Sequence, residues 1–316
     1  MTAYIVRRLI AVPFLLLGMS MILFALLWLR PGSAAFSSVG SIGNVGNAVS
    51  VFEARLGLNR PWYVQYSDWL WSAVRGDLGT SLIPPQNSVS SQIGERIGNT
   101  IEIGVLSIII GAVIGIPTGI LAAVKRNSVL DYALRFVTIA GISIPGFWTA
   151  TLLLTLPAIW WGWTPISREY VTFTDDPLSN LSSVIWPALI IAYGQAAYTA
   201  RLVRTSMLDV FYTDYIRTAR AKGLAERVVV LQHAFRNSLI TLVTVIGLQF
   251  ATILGGSVIV EQIFAVPGLG SLTFQAVLLQ DYPLLLGSVM MFSLVFVFIS
   301  LLADILYTFV DPRIRY

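Results

Sequence analysis

Apolar residues are gathered into six blocks along this chain, separated by shorter polar intervals. Each block is close to the roughly 20 residues that a helix needs to cross a bilayer. The pattern therefore predicts an all-α, polytopic membrane protein with six transmembrane helices. The blocks run Leu9 to Leu29, Ile103 to Val124, Phe136 to Trp163, Val184 to Ala200, Asn237 to Val260 and Tyr282 to Ala303.

Three features within these blocks refine the prediction. The first block follows a basic start, as a signal peptide would, but its uncharged length favours a retained span. Gly111 and Gly115 have the G-x-x-x-G spacing that allows two helices to pack closely. Pro145 and Pro157 should kink the third block or end it early.

Composition supports a membrane protein and narrows its chemistry. The chain is 56% apolar and has no cysteine and one histidine, which excludes disulfides and leaves little scope for zinc or histidine chemistry. Neither of its two lysines completes the G-x-x-x-x-G-K-[ST] motif of a phosphate-binding loop. The chain also lacks the H-E-x-x-H and G-x-S-x-G motifs of hydrolases. We therefore expect no enzymatic activity, no metal and no cofactor in this chain. Any ATP and magnesium would belong to partner subunits.

The placement of lysine and arginine predicts the orientation. With both termini in the cytoplasm, fourteen of the twenty basic residues lie on the cytoplasmic side. The predicted organisation is a cytoplasmic N-terminus with the first span (1–30), an extracytoplasmic segment (31–100), a core with five spans (101–310) and a cytoplasmic tail (311–316). Within the core, residues 201–236 form a cytoplasmic loop. Asp304, at the cytoplasmic end of the sixth block, is expected to pair with an arginine of this loop or to reach the membrane interface.

The most basic polar interval is Thr213 to Asn237, with the sequence TDYIRTARAKGLAERVVVLQHAFRN. Thr213 can cap a short helix, and Gly223 can adopt the left-handed conformation that ends one. A second helix is predicted to start near Glu226 and to continue into the fifth block. Because so short a helix is marginal alone, we expect it to pack on another surface through Ile216, Ala219 and Gly223. An ordinary positive-inside loop is the alternative.

The phrases DYIRTARAKGL and HAFRNSL resemble the cytoplasmic loop of ABC-importer permeases of the dipeptide/oligopeptide (peptide/nickel-type) family. The usual Glu-Ala-Ala triplet is replaced here by Arg217, Thr218 and Ala219, as in the peptide-permease version of the motif. The resemblance implies the type I ABC importer permease fold and a coupling helix that docks on an ATPase subunit. Its coupling residues would be Tyr215, Ile216, Arg217, Thr218, Ala219, Arg220, Lys222, Gly223 and Leu224.

A second resemblance lies after the fifth block, in EQIFAVPGLG. It implies a short helix that dips toward the translocation path from the outer face, as an outer gate, while a structural re-entrant turn is the other interpretation. Both stay open on the sequence. The residues concerned are Glu261, Phe264, Pro267, Gly268 and Gly270.

The resemblance also implies partners, direction and cargo. The partners would be a second homologous permease subunit, two ABC ATPase subunits, an extracytoplasmic substrate-binding protein and the lipid bilayer of a prokaryotic inner membrane; no nucleic acid is expected. Di- and oligopeptides are the default cargo, while relatives carry nickel complexes, glutathione, opines or oligosaccharides. An ATP-independent secondary transporter is the rival class, although the chain shows no clear inverted repeat.

Overall fold

The structure is a computed structural model, and it describes residues 2–28, 60–166 and 170–310. Helices account for most of these residues, and the extended pairing found among them is one bridge between Thr80 and Ser88. In chain order the elements are α1 Thr2–Trp28, α2 Trp62–Val74, α3 Val89–Val124, α4 Val129–Ser143, α5 Gly146–Trp161, α6 Pro177–Phe211, α7 Asp214–Ala221, α8 Glu226–Val228, the π-helix π1 Val229–Phe235, α9 Arg236–Ile263, α10 Leu269–Leu278 and α11 Tyr282–Val310.

The predicted all-α membrane architecture is confirmed, since the described residues of the apolar blocks are helical apart from 144–145 and 162–163 of the third block. Helices α1, α3, α6 and α11 are long and apolar enough to span a membrane, and the pair α4/α5 adds a fifth span if it is one broken crossing. These are counts for the described residues. The fifth block forms the 28-residue helix α9, but many of its side chains lie outside the described part. The sixth crossing therefore stays a prediction.

The third block is broken where the sequence predicted, at Pro145. Helices α4 and α5 are inclined by 97° across this break. Ile144 is extended, as the residue before a proline prefers, and Pro145 then starts the next helix. Pro157 does not end the helix, because α5 continues past it to Trp161 and is closed by Gly162 in the left-handed conformation; a kink at Pro157 stays a prediction.

Clustering of the backbone contacts divides the chain into two compact units. Of the described residues, unit 1 contains those of 2–5, 100–266 and 298–310, and unit 2 contains those of 6–99 and 267–297. The predicted start of the core at residue 101 thus falls inside α3. Asp304 lies on α11, but its side chain and the predicted tail 311–316 are outside the described residues, as are residues 29–59 of the extracytoplasmic segment.

Small residues bring α3 and α6 together in unit 1. A Cβ added at Gly115 would lie 2.6 Å from the Ala196 carbonyl oxygen, and one at Gly119 would lie 2.6 Å from the Ala200 carbonyl oxygen. Such distances leave no room for a side chain at either position. The close contact predicted from Gly111 and Gly115 is confirmed, and it extends one further turn to Gly119.

Unit 2 contains residues 60–99 of the predicted extracytoplasmic segment. Its aromatic helix α2 packs on α1, where the Tyr66 hydroxyl lies 2.8 Å from Ser20 Oγ and the Tyr66 ring contacts Phe24 edge-on. The residues after α2 are held by the buried carboxylate of Asp281, which accepts hydrogen bonds from the Ser81 hydroxyl and the Leu82 amide. The aromatic residues Tyr66 and Phe24 therefore have a structural role in joining two helices.

Candidate functional site

The short basic-loop helix α7 is anchored to its own chain. Ile216 is fully buried and Ala219 is 5% exposed, and both belong to an apolar cluster with Val203 and Met207 of α6. The expectation that α7 needs a surface to pack on is confirmed. The expectation that Ile216 and Ala219 form the docking face for a partner is wrong, because this chain already covers them.

The C-terminus of α7 is closed by the Schellman arrangement of hydrogen bonds. Gly223 has φ +77°, its amide donates to the Arg220 carbonyl oxygen at 2.9 Å, and the Leu224 amide donates to the Ala219 carbonyl oxygen at 3.4 Å. The predicted role of Gly223 as helix terminator is confirmed. At the other end Thr213 is extended, but its hydroxyl donates to the Val210 carbonyl oxygen and leaves the helix uncapped by a side chain.

Polar contacts fix α7 to the helix that follows it. The Tyr215 hydroxyl donates to the His233 carbonyl oxygen at 3.2 Å and accepts from Asn237 Nδ2 at 2.6 Å. The second helix begins at Glu226, as predicted, and continues through π1 into α9. The π-helical stretch was not predicted, since its residues Val229–Phe235 carry no signal that distinguishes it from an α-helix. Tyr215 thus helps to position the loop helix, while its side chain is 41% exposed and its predicted coupling role stays a prediction.

Arg220 is also engaged within the chain. Its guanidinium donates through Nε and Nη2 to both carboxylate oxygens of Glu226, at 3.2 and 2.7 Å, and this hydrogen bonding raises the pKa of Arg220. This ion pair joins α7 to the start of α8 across the turn that contains Gly223. Arg220 therefore braces the loop, while its side chain is still 45% exposed and its predicted contact with a partner stays a prediction.

The residues left to face outward are those opposite Ile216 and Ala219. Arg217 is 80% exposed and its Nη1 lies 3.4 Å from Oδ1 of Asp214, which is 92% exposed, an ion pair that contributes little in water. Thr218 donates its hydroxyl to the Asp214 carbonyl oxygen within the helix. We call this exposed set the coupling surface: it consists of Arg217, Thr218, Ala221, Lys222, Gly223 and Leu224.

An ion pair that the sequence did not reveal joins α6 to α4 just before the loop. Arg204 donates through Nε and Nη2 to the two carboxylate oxygens of Asp131, at 2.8 and 3.0 Å. Asp131 is fully buried, and the Asn127 amide also donates to it. The sequence signal was a lone aspartate beside a basic turn, but only the fold shows which arginine reaches it.

The predicted outer segment is divided between the two units. In unit 1, Glu261 is fully buried and accepts from the Thr100 hydroxyl at 2.8 Å, while Phe264 is 5% exposed in an apolar cluster with Val184. The Glu261 carbonyl oxygen accepts from the Val266 amide at 2.9 Å, which closes a turn at the end of α9.

In unit 2, the remaining residues of this segment start a short helix. The Pro267 carbonyl oxygen accepts from Asn99 Nδ2 at 2.8 Å. Gly268 precedes α10 and exchanges hydrogen bonds with the Ser271 hydroxyl, and Gly270 is buried in the first turn. The predicted short helix is therefore present as α10, and these contacts give Pro267 and Gly268 a structural role. A gating role stays a prediction.

The fold and loop define a polytopic helical membrane protein with a braced basic helix between two long helices. Comparison with known proteins identifies its family. Residues 115–316 match the model of the binding-protein-dependent transport system inner membrane component, and residues 1–91 match the N-terminal model of such membrane components. The chain belongs to this family of binding-protein-dependent transport system inner membrane components, and the resemblance read from its loop motifs is confirmed.

Similar proteins extend over the full length of the chain. It is 43% identical over 317 residues to a putative peptide transport system permease protein of Brucella abortus, with 100% of both chains covered. It is 37% identical to an oligopeptide transport system permease protein of Bacillus subtilis, again with 100% of both covered. It is 36% identical to a dipeptide transport system permease protein of Escherichia coli, with 100% of this chain and 99% of the relative covered.

Solved structures support the fold. A chain of the inward-facing MetNI methionine ABC transporter superposes with a TM-score of 0.58 at 19% identity, which covers 70% of this chain and 96% of that one. A chain of an amino acid ABC transporter superposes with a TM-score of 0.51 at 13% identity, covering 71% and 95%. At these identities the likeness concerns the helical architecture alone.

Proposed function

We propose that this chain is the permease subunit of an ATP-driven importer for di- and oligopeptides. In this proposal it works with a second permease subunit and two ATPase subunits, and an extracytoplasmic binding protein delivers the peptide. The proposal places both termini and the coupling surface in the cytoplasm, in agreement with the distribution of basic residues.

The observation that carries the proposal is the construction of α7. Eight residues would not hold a helix in water by themselves, yet α7 has a buried anchor, a closed C-terminus and two polar braces to neighbouring residues. Its opposite face is left polar and basic. A surface that is held this firmly and remains uncovered is suited to receive force from a partner.

The same contacts provide a route for that force. Ile216 packs against Val203 and Met207 of α6, so a displacement of α7 moves the end of α6. Arg204, one turn from these residues, is bound to Asp131 of α4, and α6 is in close contact with α3 through Gly115. When partner ATPases close on ATP, this connected set of helices would shift together and alternate the accessibility of the path.

Peptides are proposed as the cargo because relatives that cover the whole chain carry peptide, oligopeptide and dipeptide transport names. The delivering protein selects the cargo in this proposal, so the chain itself needs only a path wide enough for a peptide. No residue of this chain is proposed to hold ATP or magnesium.

The test is transport by the assembled complex. The chain is tagged in its host, purified in mild detergent with its associated proteins and reconstituted into vesicles with a labelled peptide outside. We expect a second permease, ATPase subunits and uptake that requires both ATP inside and the binding protein. Recovery of this chain alone, with uptake that continues without ATP, would instead establish a secondary transporter. ATP-dependent uptake of a different cargo would overturn the peptide assignment while keeping the importer.

A further inference from the structure

A cavity of about 100 Å³ lies in unit 1 where α3, α4 and α6 meet. Its wall is formed in large part by apolar side chains, including Ala122, Leu134, Ile139 and Ala200. Ile139 is 60% exposed, so this wall continues onto the surface of α4 that a membrane would cover. The cavity is too small for a peptide, and its lining suits a short stretch of hydrocarbon.

Three arginines line the same cavity: Arg135, Arg201 and Arg204. The only carboxylate that the described contacts bring to them is Asp131, and Arg204 already occupies both of its oxygens. Arg135 Nε lies 3.5 Å from Asp131 Oδ1, yet this buried atom makes no hydrogen bond with any described residue.

Arg201 adds a further positive charge to this cavity. It is exposed, and no ion pair or hydrogen bond to its guanidinium is found within residues 60–166 and 170–310. The cavity therefore combines an apolar wall with two guanidiniums. Among the described residues, Arg135 has Asp131, which Arg204 already pairs, as its charged partner and lies 4.5 Å from the Tyr132 ring centroid, and Arg201 has no charged partner. Guanidiniums bind phosphate through paired hydrogen bonds, so the chemistry calls for a ligand with a phosphate and an apolar tail.

We propose that this cavity seats one anionic phospholipid, with its phosphate on Arg135 and Arg201 and its acyl chain along Leu134 and Ile139. Basic pockets between transmembrane helices on the cytoplasmic side bind the head groups of anionic lipids in this way. The lipid would sit beside the Asp131–Arg204 pair, and its binding would stabilise the junction of α4 and α6 next to the coupling loop. The proposal depends on the membrane location of these helices and not on the identity of the cargo.

The experiment uses the complete complex purified in mild detergent. It is exchanged into nanodiscs of phosphatidylcholine with or without phosphatidylglycerol, and the retained phosphatidylglycerol is measured by native mass spectrometry. The double variant Arg135→Gln/Arg201→Gln should retain about thirtyfold less phosphatidylglycerol, since each basic residue near the head groups contributes roughly fivefold. Arg201→Gln alone should lose roughly fivefold, and the side chain that it changes is exposed.

The matched control is Arg126→Gln, which removes the same charge from the neighbouring turn but does not line the cavity. It should retain the wild-type amount of lipid, and inorganic phosphate should not displace the lipid from the wild type. Equal retention by the double variant would overturn the proposal. So would an equal loss in Arg126→Gln, or a wild-type complex that retains no phosphatidylglycerol because a partner subunit covers the cavity.

Discussion

The turn at Gly223 offers the sharpest test of how the loop is built. Its φ of +77° lies in the left-handed region, which costs a residue with a side chain about 1–2 kcal/mol. A Cβ at this position would meet nothing within 4 Å, so the cost comes from the backbone and not from a clash within the chain. For Gly223→Val we expect the closed turn to be populated about five- to thirtyfold less, with a further penalty for the branched side chain.

Gly223→Asn is the matched control, because asparagine tolerates the left-handed conformation. The assays are peptide uptake by reconstituted complexes and the stimulation of ATP hydrolysis by the loaded binding protein. We expect Gly223→Val to assemble yet to lose both activities in large part, and Gly223→Asn to keep them. Wild-type uptake and normal stimulation in Gly223→Val would refute the reasoning. Equal loss in both variants would show that a partner approaches Gly223 too closely for any side chain.

Two further predictions concern the helices that carry the loop. Arg204→Met leaves the buried carboxylate of Asp131 without its main partner and should destabilise the protein by about 3 kcal/mol, which would lower the unfolding temperature of the purified complex. Arg227→Met, which removes an exposed arginine, is the control, and equal unfolding temperatures of the two variants would contradict a stabilising Asp131–Arg204 ion pair. Gly115→Ala places a methyl group 2.6 Å from a backbone oxygen and should destabilise the protein by about 1–3 kcal/mol. Gly98→Ala on the same helix meets nothing within 4 Å and should be neutral or stabilising, so equal effects on stability would contradict close packing of α3 on α6.

The helices could be predicted because each depends on local pattern. Long apolar blocks, the proline at 145 and the glycine at 223 act through hydropathy and backbone conformation, which a sequence displays directly. The bend at Pro145 was therefore expected, although its angle of 97° was not. Pro157 shows the limit of this reasoning, since a proline ends a helix only where the surrounding structure does not restore its lost contacts.

The inner and outer faces of α7 were harder to predict, because amphipathicity does not tell which partner covers the apolar face. Ile216 and Ala219 have the pattern of a docking face, and they do dock, but on the chain's own α6. The pairing of Arg220 with Glu226 was likewise not predicted, because it depends on how the turn at Gly223 folds back. The Asp131–Arg204 pair joins residues 73 positions apart, and such a long-range contact has no local signature.

The coupling surface itself can be tested by cross-linking, because the chain has no cysteine and a single introduced one is unique within it. Arg217→Cys places a thiol on the exposed face of α7, and Ala219→Cys places one two residues away on the buried face. In the assembled complex we predict that Arg217→Cys forms a cross-link to an ATPase subunit and that Ala219→Cys does not. A cross-link through Ala219→Cys, or none through Arg217→Cys in a complex that contains its ATPases, would contradict the account of how this chain receives force.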